Sequence, residues 1–198
     1  QFLVKGKAPL EGDAMRLPAL GRTLAALGKR GTEDFYSGKL GKVIAADLAR
    51  IGAPVTAGDL KRHQAARRDP LSVKVRAGQL YNFPPPTQGL ASLLILAIFD
   101  KLGVKQADDF KYLHAIIEAT KQAFMVRDRI IGDPGSMTED PVASLQQDVI
   151  EALAKKIDKK TALPWPAPVD KGDTIWLGAI DTNGVAVSFI QSIYFEYG

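Results

Sequence analysis

Three consecutive prolines, Pro84-Pro85-Pro86, constrain this chain more than any other feature. Proline has no backbone N–H and a φ held at about −65°, so the triplet fits neither a sheet ladder nor a helix interior. It must be an extended loop, and the hydrophobic pattern changes period across it. Before it, Leu71, Val73 and Val75 alternate with Ser72, Lys74 and Arg76, then Ala77-Gly78 turn the chain into Leu80, Tyr81 and Phe83. That is the pattern of a β-hairpin. After it, Thr87 is placed to cap an apolar helix through about Leu102. Its longest apolar run, Leu90 to Phe99, is too short to cross a bilayer and reads as a core helix.

The other segments are mostly helical. Pro18, Ala19, Leu20, Leu24 and Leu27, followed by Gly28 and Gly31, predict an amphipathic helix with a proline start and a glycine stop. Residues Lys39 to Arg50 carry Leu40, Val43, Ile44 and Leu48 at helical spacing, and Thr56 with Asp59 marks the start of a short helix. A long helix is predicted from about Asp108 to Ile131 through Phe110, Leu113, Ile116, Ile117, Ala123 and Phe124. Another runs from Pro141 to about Ile157, with Leu145, Val149, Ile150 and Leu153 inward. Asp108-Asp109 and Glu139-Asp140 stand before these helices, where carboxylates favour the N-terminus.

Residues Thr161 to Gly172 hold Pro164, Pro166 and Pro168 without periodicity and read as an exposed connector. Beyond it, Thr174 to Ile180 and Val185 to Ser192 are β-rich runs joined by Asp181-Thr182-Asn183-Gly184, read as a hairpin with a two-residue turn between Asp181 and Gly184. That turn is expected to bring Ser192 back beside Thr174.

Composition removes several function classes. The chain of 198 residues has no cysteine, which excludes disulfides, thiolate metal sites and cysteine nucleophiles together. The net charge of +4 comes from scattered pairs such as Lys29-Arg30 and Arg67-Arg68 rather than a basic stripe, so no nucleic-acid partner is expected. His63 and His114 stand apart and are not read as metal ligands. The chain starts at Gln1 without a signal-peptide pattern and stops after a strongly patterned strand, so both ends read as cut.

Five ordered segments carry a resemblance. They are Arg16-Leu17-Pro18-Ala19-Leu20 with Thr23-Leu24; Phe35-Tyr36-Ser37-Gly38; Tyr81-Asn82-Phe83-Pro84-Pro85-Pro86-Thr87-Gln88-Gly89; Glu118-Ala119 with Lys121, Ala123, Arg127 and Gly132-Asp133-Pro134; and Gly172-Asp173-Thr174 with Asp181, Gly184, Ala186-Val187-Ser188 and Gln191-Ser192. Together they resemble the gamma-glutamyltranspeptidase family of N-terminal-nucleophile hydrolases over about residues 14 to 198.

The resemblance implies an α+β fold, the four-layer αββα sandwich, only partly present. Residues 1–173 would be the C-terminal part of the large subunit, and residues 174–198 the opening hairpin of the small one. It implies a zymogen in which Thr174 attacks the carbonyl of Asp173, so that the cleavage site is Asp173-Thr174. The freed α-amine of Thr174 would then be the base for its own hydroxyl, and Ser192 would hydrogen-bond that nucleophile. The implied reaction is γ-glutamyl transfer or hydrolysis, with glutathione or another γ-glutamyl compound as donor and an amino acid, peptide or water as acceptor. The rest of both subunits would be partners, no cofactor or metal would be needed, the compartment would be periplasmic or secreted, and the uncleaved piece alone would be inactive.

Four positions depart from the family pattern. Val126 replaces an aspartate, Trp176 stands where many members have histidine, and Glu196 replaces a glycine. Tyr194 occupies the substrate-binding position of an asparagine that holds the α-amino acid end of the donor. That leaves open a related amide acylase of other specificity; a separate reading is that the piece is a non-catalytic fragment.

Overall fold

The computed structural model describes residues 3, 6–107, 109–165 and 174–192, which fall into two compact units, 1–67 and 68–198. In the first unit, helix α1 (Pro18–Arg30) begins on its proline and ends at Gly31, whose φ of 88° lets its N–H reach the carbonyl of Leu27. Helices α2 (Glu33–Tyr36), α3 (Lys39–Arg50) and α4 (Ala57–Arg62) follow. The Phe35-Tyr36-Ser37-Gly38 segment acquires a physical meaning here. Asp34, buried on α2, accepts the Arg30 guanidinium Nε at 2.9 Å and the backbone N–H of Lys39 at 2.8 Å. A side chain on Gly38 would collide with that same carboxylate, and one on Gly41 would lie 2.7 Å from the carbonyl oxygens of Phe35 and Tyr36. Helix α4 starts with a reciprocal capping box: Thr56 accepts the Asp59 N–H and Asp59 accepts the Thr56 N–H.

The second unit is built around a helix predicted to be apolar. Strands β1 (Leu71–Val75) and β2 (Gly78–Asn82) pair antiparallel, as their alternation requires, burying Leu71 and Val73. The proline loop then leads into α5 (Gly89–Leu102), with the Pro85–Pro86 bond cis. The helix starts two residues beyond Thr87, which accepts the N–H of Gly89 at 3.2 Å and donates to the carbonyls of Phe83 and Pro84. Gly89 is packed so tightly beneath the Phe83 carbonyl that no side chain fits there. Leu90, Leu93, Leu94 and Ile98 are buried to within 2% of full enclosure.

Helix α6 (Phe110–Ile130) packs on α5 through Ala119, Ala123 and Val126. Its N-cap is Asp109, whose carboxylate accepts the Tyr112 N–H at 2.7 Å. Three of the large residues that carried its helical period face outward instead: Phe110, Leu113 and Ile117 are each more than half exposed, while Ile116 and Phe124 are partly buried. Small alanines let two helix backbones approach closely, so they take the seam. Val126, where the family pattern has aspartate, lies in this seam, which accounts for an apolar side chain there.

The helix expected from Pro141 to Ile157 is broken. A 3₁₀ turn (Ala143–Leu145) is followed by an extended Gln146 and then α7 (Gln147–Lys155). Asp140 does cap the turn, accepting the Val142 N–H at 2.9 Å, whereas Glu139 pairs with Arg129. Finally, β3 (Thr174–Ile180) and β4 (Ala186–Ser192) form a second antiparallel hairpin, exposed on both faces. The described elements are thus mixed helix and strand, an α+β arrangement.

Candidate active site

The register of the β3–β4 hairpin decides which residues meet. Thr174 and Ser192 are directly paired, as are Trp176 with Ile190 and Gly178 with Ser188. The pairing follows from a turn longer than the two residues expected. Asp181 donates its N–H to the Val185 carbonyl at 3.0 Å, and the Gly184 N–H returns to the Asp181 carbonyl at 3.1 Å. Three residues therefore bridge the strands, with Gly184 at a φ of 81°, the left-handed conformation that such a loop requires. The Asp181 carboxylate secures the loop by accepting the N–H groups of Asn183 and Val185, both at 2.9 Å. A two-residue turn pairing Asp181 with Gly184 would set Gln191, not Ser192, opposite Thr174. One extra residue thus converts the expected proximity into the observed one.

Because residues two apart share a face of a strand, positions 174, 176 and 178 lie on the same face as 188, 190 and 192. On this face the Trp176 indole donates its Nε1–H to Ser188 Oγ at 2.9 Å. The ring rests on Gly178, where an added side chain would lie 2.9 Å from its Cη2. The opposite face carries Ile175, Leu177, Val187 and Phe189 and is wholly apolar apart from Gln191. From Thr174 to Ser192 the only ionisable side chain is Asp181, in the turn. The face of positions 174 and 192 therefore carries no ionisable residue. Asp173, Tyr194 and Glu196, also named from the sequence, lie outside the described residues.

A feature not recognised from the sequence lies before the proline-rich connector. Glu118, 2% exposed, accepts the Lys121 ammonium at 2.6 Å with one oxygen and the backbone N–H of Leu163 at 3.1 Å with the other. Lys121 closes the ring by donating to the Leu163 carbonyl at 2.6 Å. The buried Glu118 and the partly buried Lys121 thus grip both polar groups of one backbone residue. Its trace in the sequence is a Glu and a Lys three apart on one helix face, followed by a donor-poor proline segment. The two histidines have partners of their own. His63 stacks on Tyr36, and His114 stacks on Phe110 and sits 2.7 Å from the Asp158 carbonyl.

Comparison with known proteins bears on this arrangement. The sequence profile of the family described as Gamma-glutamyltranspeptidase matches residues 1–198. An oxamate amidohydrolase proenzyme of Klebsiella pneumoniae is 46% identical over 197 residues, covering 100% of this chain and 37% of that protein. A glutathione hydrolase-like proenzyme of Bacillus subtilis is 33% identical, covering 100% of this chain and 38% of its own length. Among solved structures, a cephalosporin acylase from Bacillus halodurans superposes with a TM-score of 0.82 at 29% identity, over 98% of this chain and 35% of the acylase. The chain spans little more than a third of the length of the curated relatives it matches.

Proposed function

We propose, from the premise that this chain belongs to the gamma-glutamyltranspeptidase family, that it carries the maturation site and nucleophile of an amide-cleaving threonine hydrolase. The observation that carries the reading is the direct pairing of Thr174 with Ser192 on an uncharged hairpin face. Residues 1–173 are then the C-terminal part of a large subunit and 174–198 the start of a small one, within a four-layer αββα sandwich completed by the rest of the parent protein. The apolar exposure of the hairpin supports this: Ile175, Ile180 and Val185 are each at least 60% exposed. Such surface calls for covering elements.

In maturation, the Thr174 hydroxyl attacks the carbonyl carbon of Asp173, the C–N bond breaks, and the nitrogen takes up a proton. The resulting ester is hydrolysed by water to an Asp173 α-carboxylate and the Thr174 hydroxyl, leaving Thr174 as an N-terminus with a free α-amine. That amine titrates near neutrality, so it can accept the hydroxyl proton where an amide nitrogen could not. Thr174 then attacks the substrate amide, the proton passes to the departing amine, and the acyl-threonine ester is resolved by water or by an amino acid or peptide. Ser192 donates a hydrogen bond that positions the nucleophile oxygen.

Two donor classes fit this chemistry. A γ-glutamyl amide such as glutathione follows from the family and from the glutathione hydrolase-like relative. A short acyl amide follows from the oxamate amidohydrolase relative at 46% identity. In the full-length parent, Thr174→Ala abolishes self-cleavage and turnover of either donor, while Thr174→Ser still cleaves. A two-subunit pattern from the alanine variant would contradict the assignment. The 198-residue piece alone, its Thr174 nitrogen still an amide, turns over neither.

A further inference from the structure

We infer that a basic cavity between the N-terminus of α6 and the segment after α7 binds a small organic anion, one with an apolar body and two negative charges. The inference stands apart from Thr174 and its chemistry. The cavity has a volume of about 540 Å³, which falls within the range of small-molecule sites and far exceeds what a single ion needs. Its floor is apolar, formed by Ala115 and Ile157, both buried, with Leu102 and Val104 half-buried. Four lysines line it from three stretches of chain: Lys105 in the α5–α6 loop, Lys111 in the first turn of α6, and Lys159 and Lys160 beyond α7.

Charge sets this group apart from the rest of its unit. Arg76, Lys101, Lys121, Arg127 and Arg129 each pair with a carboxylate, whereas none of the four cavity lysines makes an ion pair with a described residue. The first turn of a helix favours anions, yet α6 has no acidic residue there and carries Lys111 instead. Asp109 is the one carboxylate among the lining residues, so four lysines against it leave an excess of three positive charges. That carboxylate caps α6 by accepting the Tyr112 N–H, and the neighbouring Asp158 carboxylate accepts the N–H groups of Lys160 and Thr161. Gathering like charges around one concavity opposes folding, and local rules are broken in this way where a site needs them broken.

The cavity is held open by its own framework. His114 donates from Nε2 to the Asp158 carbonyl at 2.7 Å, which ties the start of α6 to the turn that carries Lys159 and Lys160. A ligand that brings its charges to the lysines and its apolar body to the floor satisfies both surfaces. A bare inorganic anion satisfies only the first, and a neutral hydrocarbon only the second.

The test is isothermal titration calorimetry on the full-length parent with four probes. Two are complete ligands, 1-naphthyl phosphate and phthalate, which carry the charges as a phosphate or as a dicarboxylate; inorganic phosphate lacks the apolar body and 1-naphthol lacks the charge. At least one complete ligand is expected to bind, with inorganic phosphate and 1-naphthol at least about tenfold weaker. Which of the two binds tells phosphate from carboxylate. Lys111→Ala combined with Lys160→Ala weakens binding by at least about tenfold, since two charge-assisted contacts are lost. The corresponding arginine pair, and Lys42→Ala on the exposed surface of α3, stay within about threefold of wild type. If the alanine pair lowers the melting temperature, Lys105→Gln with Lys159→Gln carries the same comparison. Absence of binding by both complete ligands would overturn the inference. So would equal affinity for inorganic phosphate or 1-naphthol, or wild-type binding by a folded variant that lacks two of the lysines.

Discussion

Asp34 shows how a single side chain turns a short sequence motif into geometry. Its carboxylate joins the end of α1 to the start of α3, and the Arg30 guanidinium, followed by the backbone N–H of Lys39, holds its pKa below the ordinary value of 3.8. A carboxylate with a depressed folded pKa stabilises the folded state above its unfolded value, and that stabilisation is lost as pH falls through the folded value. The N-terminal unit should therefore lose helicity on acidification below about pH 3.8. Asp34→Asn should lower its melting temperature at neutral pH and flatten this acid limb. Circular dichroism melts of the 198-residue chain between pH 2 and 7 check this, and an unchanged acid limb in the variant would refute it. Neither Asp34 nor Gly38 was assigned this role from the sequence. Periodicity locates the helices, but a carboxylate bridging two of them depends on tertiary approach, which no local pattern encodes.

At the level of elements, the two hairpins and α3, α4 and α5 were legible because each has a strong local signal: alternation, a capping pair, or an apolar run flanked by breakers. The α6 burial pattern was not, since a close helix–helix seam selects alanine while Phe110, Leu113 and Ile117 of its period turn outward. The break at Gln146 was equally hidden, as nothing in its residue type forbids a continuous helix. The β3–β4 turn is the most consequential case, because Gly184 sets which residue faces Thr174. Gly184→Val would force a β-branched residue into the left-handed region at a cost of about 1–2 kcal/mol and favour a slipped register. In the full-length parent it should slow self-cleavage by about 10- to 100-fold through misplacement of Ser192, whereas Gly184→Asn should stay near wild type. Time-resolved gel analysis of maturation distinguishes these, and wild-type cleavage in the valine variant would detach the register from the chemistry.

On the scale of the whole molecule, the chain spans little more than a third of the length of the curated relatives it matches. Thr174 and Ser192 were found from a motif and then paired by register, while the hydrogen bond from Trp176 to Ser188, both already named in the sequence, emerged only when the strands were set side by side. The family was legible early because its ordered segments map onto physical necessities: Gly38 against the Asp34 backbone and carboxylate, Gly89 beneath the Phe83 carbonyl, and Glu118 with Lys121 gripping Leu163. Substrate choice was not, because it depends on how residues of several segments converge on one face. The central claim is that the bond before Thr174 is broken by Thr174 itself. Intact mass and N-terminal sequencing of the purified full-length protein test it most directly. The account predicts two chains, the smaller beginning Thr174-Ile175-Trp176-Leu177, and a single chain in the Thr174→Ala variant. An uncleaved wild-type protein with full amide turnover, or a new N-terminus elsewhere, would contradict it.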